Sequence, residues 1–383
     1  MALRLLILMS DTGGGHRASA QALAAALRRR YGDQIETTIL DAWQGHAPWP
    51  LNQVPKSYSF LVNRTPWFYS ALYHAGERRR VMGAVIGVAA MWSDRRFMAV
   101  VEAHRPDAVL SVHPLLQEAP LRILARHGLS LPFFTVVTDL GSVHPSWFHP
   151  AVRCCFVPTA ETAAQAQRLG LQPTQVRVLG LPIRPEFGQP QPDQTTLRRA
   201  LGLQPDLATV TVIGGGEGMG PLRAIAEAIA HRLAADGRRA QLVVICGRNQ
   251  RLQSELSRVA WPVPTAVTGF VDNMAQWMAA SDCLVTKAGP GTIAEAMAMG
   301  LPLVLSGYIP GQETGNVHFV VDHGIGVFAP KPAQVAEVVS RWLGPDQGER
   351  LQRAQAARAL AYPHAADAIA AAIAAELGLC RPR

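Results

Sequence analysis

Three glycine-rich segments of this chain each follow an apolar run and open a helical one, a placement that lets backbone N–H groups close on an anion. The first is Gly13-Gly14-Gly15-His16, between the apolar run Leu3–Met9 and an alanine-rich stretch at about residues 17–31. Read as Gly13-x-Gly15-x-x-Ala18 it fits a dinucleotide-binding turn, with Asp33, Glu36 or Asp41 as the ribose acid. It also fits a tight turn that holds no ligand. The histidine inside it points to more specific chemistry. An imidazole near its ordinary pKa of ~6.5 can act as a general base. A helix N-terminus disfavours the imidazolium and keeps the ring able to accept a proton. The competing role for His16 is to cap its own turn. Asp139 ends the run FFTVVTD, and ligands gather at strand C-termini. It is read as orienting His16 or acting in its place, or as an ordinary turn aspartate.

The second segment, Gly214-Gly215-Gly216-Glu217-Gly218-Met219-Gly220, lacks the lysine and Ser/Thr of a P-loop, which argues against a nucleoside triphosphatase. Four glycines in five residues favour close approach of a ligand over simple packing. Glu217 sits awkwardly beside a pyrophosphate, so it points away or bonds a ribose or sugar hydroxyl. The third segment runs from Lys287 through Gly289, Pro290, Gly291, Thr292, Ile293 and Ala294 to Glu295. Its start offers backbone and hydroxyl donors to a diphosphate. Glu295, one turn further on, can accept from both ribose hydroxyls, or can pair with Thr292 in a capping box. His113, His144 and His149 show no metal-ligand spacing and no Asp-x-Asp occurs, so no metal is implied.

Around these segments short apolar runs alternate with helical stretches. Strands are expected at Leu3–Met9, Ile35–Asp41 and residues 108–112, 133–138, 154–158 and 176–179. A second set is expected at Ala208–Ile213 and residues 242–246, 265–267, 283–286, 303–305 and 327–328. This is βαβ alternation, with a parallel sheet covered on both faces. The proline-rich stretch 180–194 reads as a linker. The implied organisation is an N-terminal acceptor domain over 1–183, a linker over 184–195, a second domain over 196–362 and a closing helix within 363–383.

Of the net charge of +8, +7 lies in residues 1–190. Anionic lipid, anionic metabolites and nucleic acid are the partner classes this allows, and an arginine-rich composition is the bland alternative. The cysteines, five in number, show no metal or disulfide spacing, which fits a reducing compartment. The apolar N-terminal run is too short for a signal peptide, and no run reaches the ~18 residues of a spanning helix. Residues 43–96 form the candidate membrane surface: Trp43, Trp49, Trp67, Phe68, Tyr69 and Trp92, with Arg78, Arg79, Arg80, Arg95 and Arg96 flanking the apolar run 81–92. That run is either a buried helix or an interfacial one.

DTGGGHRASA, VTDLGSVHPSWFHP, GLPIRPEF, GGGEGMGP, VICGRN and TKAGPGTIAEAMAMGLPLVLSGYIPGQETGN resemble the monogalactosyldiacylglycerol synthases over nearly the whole chain. Those are GT-B glycosyltransferases, related to the peptidoglycan N-acetylglucosaminyltransferase and to diacylglycerol glucosyltransferases. The resemblance implies an α/β fold of two Rossmann-like domains facing a central cleft. It also implies inverting transfer of galactose from UDP-galactose to diacylglycerol, with no cofactor beyond the UDP-sugar and no nucleic acid partner. It makes His16 the base and places Gly15 and Gly214–Gly218 near the donor. Gly269 and Phe270 would hold uracil through the backbone, Gly291–Glu295 the diphosphate and ribose, and Gln312, Glu313 and Asn316 the sugar hydroxyls. Arg184 would reach the diphosphate or form a hinge salt bridge. Pro50 and the segment PLNQVPKSY resemble the family's region for an activating anionic lipid. The expected place is the cytoplasmic face of a membrane, bound peripherally. The plant enzymes' N-terminal transit segment has no counterpart here, as a bacterial origin would explain. A UDP-glucose-dependent glucosyltransferase, an NAD(P)-binding protein and a non-catalytic membrane-binding module are the alternatives.

Overall fold

The computed structural model describes residues 2–10, 14–42, 53, 65–76, 79–141, 143–216, 218 and 220–379. The chain divides into two compact units. The first comprises Met1–Pro185, Ile309–Gly315 and His364–Arg383; the second comprises Glu186–Tyr308 and Asn316–Pro363.

The first unit is built on a six-stranded sheet of order β2-β1-β3-β4-β5-β6, parallel throughout. Its strands are β1 (Leu3–Met9), β2 (Ile35–Asp41), β3 (Ala108–Ser111), β4 (Phe133–Val136), β5 (Cys154–Val157) and β6 (Val176–Val178). Its helices are α1 (Gly15–Tyr31), α2 (Pro66–Gly76), α3 (Arg79–His104), α4 (Glu118–Arg126) and α5 (Ala160–Arg168). β1 is apolar on both faces because both are covered. Leu5, Ile7 and Met9 join Leu23, Leu27 and Tyr31 of α1 in one core. Leu6 and Leu8 join Phe97, Val100 and Val101 of α3, and Ile123 and Leu124 of α4, in another.

The second unit repeats the plan, with sheet order β12-β11-β10-β7-β8-β9, again parallel. α6 (Gln194–Ala200) leads into β7 (Ala208–Ile213), α7 (Leu222–Ala235), β8 (Ala240–Ile245), α8 (Gln250–Leu256) and β9 (Thr265–Thr268). Then come α9 (Met274–Ala279), β10 (Cys283–Lys287), α10 (Pro290–Met299), β11 (Leu303–Gly307), α11 (Thr314–Asp322) and β12 (Gly326–Phe328). α12 (Pro332–Trp342) packs beside α7 under the sheet, through Ile225, Ile229, Val335 and Val339, and α13 (Gly348–Ala359) follows. Every expected strand is present, with ends shifted by two residues at most.

The last helix, α14 (Ala365–Glu376), belongs to the first unit. Ile369, Ala370, Ile373 and Ala374 enter the core beneath α1. Ion pairs hold its rim: Arg29 with Asp367 at 2.5 Å, and Arg153 and Arg177 both with Glu376.

The apolar run 81–92 lies inside α3. It is neither wholly buried nor wholly interfacial. Ile86 and Ala90 are buried, while Met91 and Trp92 are exposed on the same helix, at 59% and 56%. No helix among the described residues is long and apolar enough to cross a membrane.

Each sheet order reverses once beside its first strand. β1 is followed in the chain by β2 on one side but neighboured by β3 on the other; β7 likewise lies between β8 and β10. Open parallel sheets bind ligands at such reversals, outside the strand C-termini. Three of the candidate segments sit there: His16 after β1, the glycine turn that starts at Gly214 after β7, and the segment that runs from Lys287, the last residue of β10, into α10.

Candidate active site

At the reversal of the first sheet, Gly14 adopts a left-handed φ of 77° and turns the chain into α1. The first intrahelical hydrogen bond runs from Ala18 N–H to Gly14 O, so the N–H groups of Gly15 and His16 precede it. His16 therefore stands at the positive end of the helix dipole. Its side chain is buried, 8% exposed. Nδ1 lies 2.8 Å from Val112 O and 3.1 Å from Thr138 Oγ1. A carbonyl only accepts, so Nδ1 carries the proton and Nε2 keeps its lone pair. Burial lowers the pKa to about 4, against a smaller upward pull from the Val112 bond, so the ring is neutral at physiological pH. The ring is thus held as a proton acceptor, and its Nδ1 bonds two strand ends, Val112 O and Thr138 Oγ1, rather than its own turn.

Asp139 is buried, and its Oδ2 accepts from Trp147 Nε1 at 3.0 Å. Burial raises its pKa to about 6; the Trp147 bond opposes this and the Glu313 carboxylate adds to it. The expectation that Asp139 orients His16 is not met. The ring nitrogen is held by Val112 and Thr138, and the carboxylate is engaged by Trp147. Trp147 itself lies beside His16, ring centroids 6.2 Å apart.

Residues 309–315 complete the first unit's site. Glu313 is 3% exposed, and its Oε2 accepts from Ile309 N–H at 2.9 Å. Gln312 Oε1 accepts from Tyr69 Oη at 2.8 Å. Burial raises the Tyr69 pKa, and the charges of Asp139 and Glu313 raise it further, so the phenol keeps its proton as a donor. Asn316, from the same GQETGN string, falls in the second unit, where its Nδ2 donates to Ala288 O at 3.0 Å.

In the second unit the glycine loop after β7 owes much of its composition to packing. Gly218 has φ 60°, and an added Cβ would lie 2.1 Å from Cys246 O. Gly216 O accepts from Arg248 N–H at 2.8 Å. Glycine count is therefore weaker evidence for a ligand than the sequence suggested. Lys287, at the end of β10, lays its Cε within 4.0 Å of where a Gly215 Cβ would be. Gly269 and Phe270 follow β9; Phe270 is 58% exposed, and the Arg248 guanidinium sits over its ring at 4.9 Å.

α10 begins with Gly289 as N-cap and Pro290 at the first position. Ile293 N–H already bonds Gly289 O at 3.0 Å, so Gly291 and Thr292 supply the N–H groups left for an anion. Ile293 is fully buried, so its side chain serves the core. The capping-box alternative for Glu295 also fails, because Thr292 lies inside the helix and the cap is Gly289. Glu295 is half-buried in the helix interior, and Ala294 is likewise half-buried. Arg184 is half-buried at the end of the first unit.

Trp67 and Phe68 on α2 are exposed at 73% and 42%, their rings 5.8 Å apart edge to face. Arg79 and Arg80 start α3. Pro50, Arg78 and Glu217 lie outside the described residues. No group of three or more metal-ligating side chains occurs among the described residues.

Sequence reading passed over Val112, Thr138, Trp147 and Arg248 as site residues, took Tyr69 only as a membrane-surface aromatic and gave Lys287 no role of its own. Their common signal is position: Val112, Thr138 and Lys287 stand at strand C-termini, but which strand ends converge depends on the strand order.

The family model for monogalactosyldiacylglycerol (MGDG) synthase matches residues 16–183, and that for the glycosyltransferase family 28 C-terminal domain matches residues 209–361. A probable chloroplastic monogalactosyldiacylglycerol synthase of Glycine max is 46% identical over 94% of this chain and 69% of its own length. Monogalactosyldiacylglycerol synthase 1 of Arabidopsis thaliana is 46% identical over the same shares. These relatives are plant proteins and lend no support to the bacterial source expected above. The calicheamicin glycosyltransferase CalG4 shares the fold at a TM-score of 0.64 and 15% identity, covering 100% of both chains. With two parallel α/β units and these matches, the protein has the GT-B fold and belongs to the monogalactosyldiacylglycerol synthase family.

Proposed function

We propose that this protein transfers galactose from UDP-galactose to the free hydroxyl of 1,2-diacylglycerol, inverting the anomeric carbon and giving monogalactosyldiacylglycerol. The observation that carries this reading is the state of His16: buried, neutral, with Nδ1–H committed to Val112 O and the lone pair left on Nε2. Nε2 takes the proton of the acceptor hydroxyl as its oxygen attacks the anomeric carbon from the face opposite UDP. Charge growing on the departing diphosphate is met by the Gly291 and Thr292 N–H groups, by Lys287 and by Arg184. Glu295 accepts from the ribose hydroxyls, Phe270 and Arg248 flank the base, and Gln312, Glu313 and Asn316 read the sugar.

The acceptor is a membrane lipid, and the exposed aromatics Trp67, Phe68 and Trp92 with exposed Arg95 and Arg96 form the surface that meets it. The protein works as a peripheral enzyme on an anionic, cytoplasmic-side leaflet.

The test offers diacylglycerol in mixed micelles with UDP-galactose and UDP-glucose side by side, and separates the lipid products. Galactolipid from UDP-galactose is the expected result. Glucolipid alone moves the protein to glucosyl transfer. No lipid product from either donor, with UDP still bound, refutes the acceptor.

A further inference from the structure

The aromatic string of α2 divides between two faces of the helix. At about 100° per residue, Tyr69 and Tyr73 stand on one side and Phe68 and Leu72 on another. The burial follows that division: Trp67, Phe68 and Leu72 are exposed, whereas Tyr69 and Tyr73 are half-buried. Both inward tyrosines reach the same segment, residues 309–315. Tyr69 Oη donates to Gln312 Oε1 at 2.8 Å. Burial, with the charges of Asp139 and Glu313, keeps that phenol protonated. Tyr73 lies along Gly311, where an added Cβ would stand 3.0 Å from its ring on a left-handed backbone of φ 84°. The Tyr73 ring also meets His144 edge to face, centroids 4.9 Å apart. The segment is itself braced: Ile309 N–H donates to Glu313 Oε2 at 2.9 Å, and Gly311 N–H to Thr314 Oγ1 at 3.1 Å. These bonds fix the turn of the chain, and the Tyr69 bond acts on the long side chain that the turn carries.

We propose that Tyr69 is a positioning residue for donor-sugar recognition, holding the Gln312 side chain in the pose with which it meets the sugar. The inference rests on the reading of Gln312 as a sugar-contacting residue. Glutamine gives up much rotamer freedom when it is fixed on a ligand. A hydroxyl that fixes it before the ligand arrives lowers that cost, and the gain appears as affinity and rate for the sugar-bearing donor. Tyr69 acts through Gln312 rather than on a reacting atom. The outward face of α2, with Trp67 and Phe68, is separate from this bond, so removing the Tyr69 hydroxyl leaves the lipid-facing surface as it was.

The competing role is purely structural: the bond satisfies a half-buried phenol and does nothing for the donor. A double-mutant cycle of Tyr69→Phe, Gln312→Ala and the pair separates the two. It is run with a short-chain, soluble diacylglycerol and UDP-galactose, beside UDP affinity, melting temperature and vesicle sedimentation. One neutral hydrogen bond corresponds to about 3–10-fold, so kcat/KM for UDP-galactose should fall by about that factor in Tyr69→Phe, with UDP affinity and vesicle binding at parent values. In the Gln312→Ala background the same change should cost less than about 2-fold. Full kcat/KM in Tyr69→Phe, whatever its melting temperature, overturns the inference. So does an equal loss of UDP affinity, or a loss that adds in full to that of Gln312→Ala. Gln312→Ala alone tests the underlying reading separately, since parent-level kcat/KM there removes Gln312 from sugar recognition whatever Tyr69 does.

Discussion

Replacing Asp139 by asparagine should stabilise the protein at alkaline pH and lose that advantage in acid. Asp139 is 6% exposed, and its pKa stands at about 6 against 3.8 for an unburied carboxyl. The gap corresponds to about 3 kcal/mol between neutral and ionised forms. Sign follows from proton counts. Between pH 3.8 and about 6 the folded state holds a proton that the unfolded state has lost, so stability falls as pH rises through that window. Above it the folded protein carries the whole penalty of a desolvated charge. Asparagine removes the charge and still offers Oδ1 to Trp147 Nε1. At pH 8 the variant should therefore be more stable by about 2–3 kcal/mol, or roughly 5–10 °C in melting temperature for a unit of this size. At pH 4.5 the gain should shrink to about a third of that. His16 works in the opposite sense: its pKa of about 4 makes stability fall as pH drops from 6.5 toward 4. The wild-type curve blends the two, so the difference between variant and parent is the quantity to measure. Thermal melts of both proteins at pH 4.5, 6 and 8 provide it. A variant less stable than the parent at pH 8, or a difference that does not change with pH, would show that the burial argument is wrong.

His16→Ala should lower kcat by about 10²–10⁴-fold while UDP affinity, measured calorimetrically, stays at the parent value. Gly218→Ala should cost about 2–4 kcal/mol in a denaturation assay, because its Cβ would stand 2.1 Å from Cys246 O on a left-handed backbone. Gly291→Ala should leave the melting temperature unchanged, since its Cβ would meet nothing within 4 Å, yet weaken UDP binding at least about tenfold. Trp67→Ser with Trp92→Ser should reduce sedimentation with anionic vesicles by about tenfold or more, with little change in turnover of a short-chain, soluble diacylglycerol.

The strands were legible because each is a short β-branched or leucine-rich run bounded by turn residues, and parallel strands covered on both faces need no alternation. Leu3–Met9 and Ile35–Asp41 could be read to the residue. His16 was legible as a candidate base from its place at a strand-to-helix turn. Its partners were not. Val112 and Thr138 lie about a hundred residues away, and only the order β1-β3-β4 brings their strand ends to it. Asp139 was read from its place at a strand C-terminus as orienting His16, acting in its place or serving as an ordinary turn aspartate, and one residue of offset made the difference: Thr138 meets the imidazole, and Asp139 accepts from Trp147. The glycines mark the same limit. Gly218 and Gly291 look alike in sequence, each inside a glycine-rich turn after a strand. One is required by a carbonyl 2.1 Å from its missing Cβ, and the other borders open space. A folding constraint and a ligand constraint leave the same letter, and the surroundings that tell them apart come from the strand order. The two predictions above on Gly218 and Gly291 separate these causes: stability should fall at the first with its packing lost, and binding should fall at the second with the fold intact.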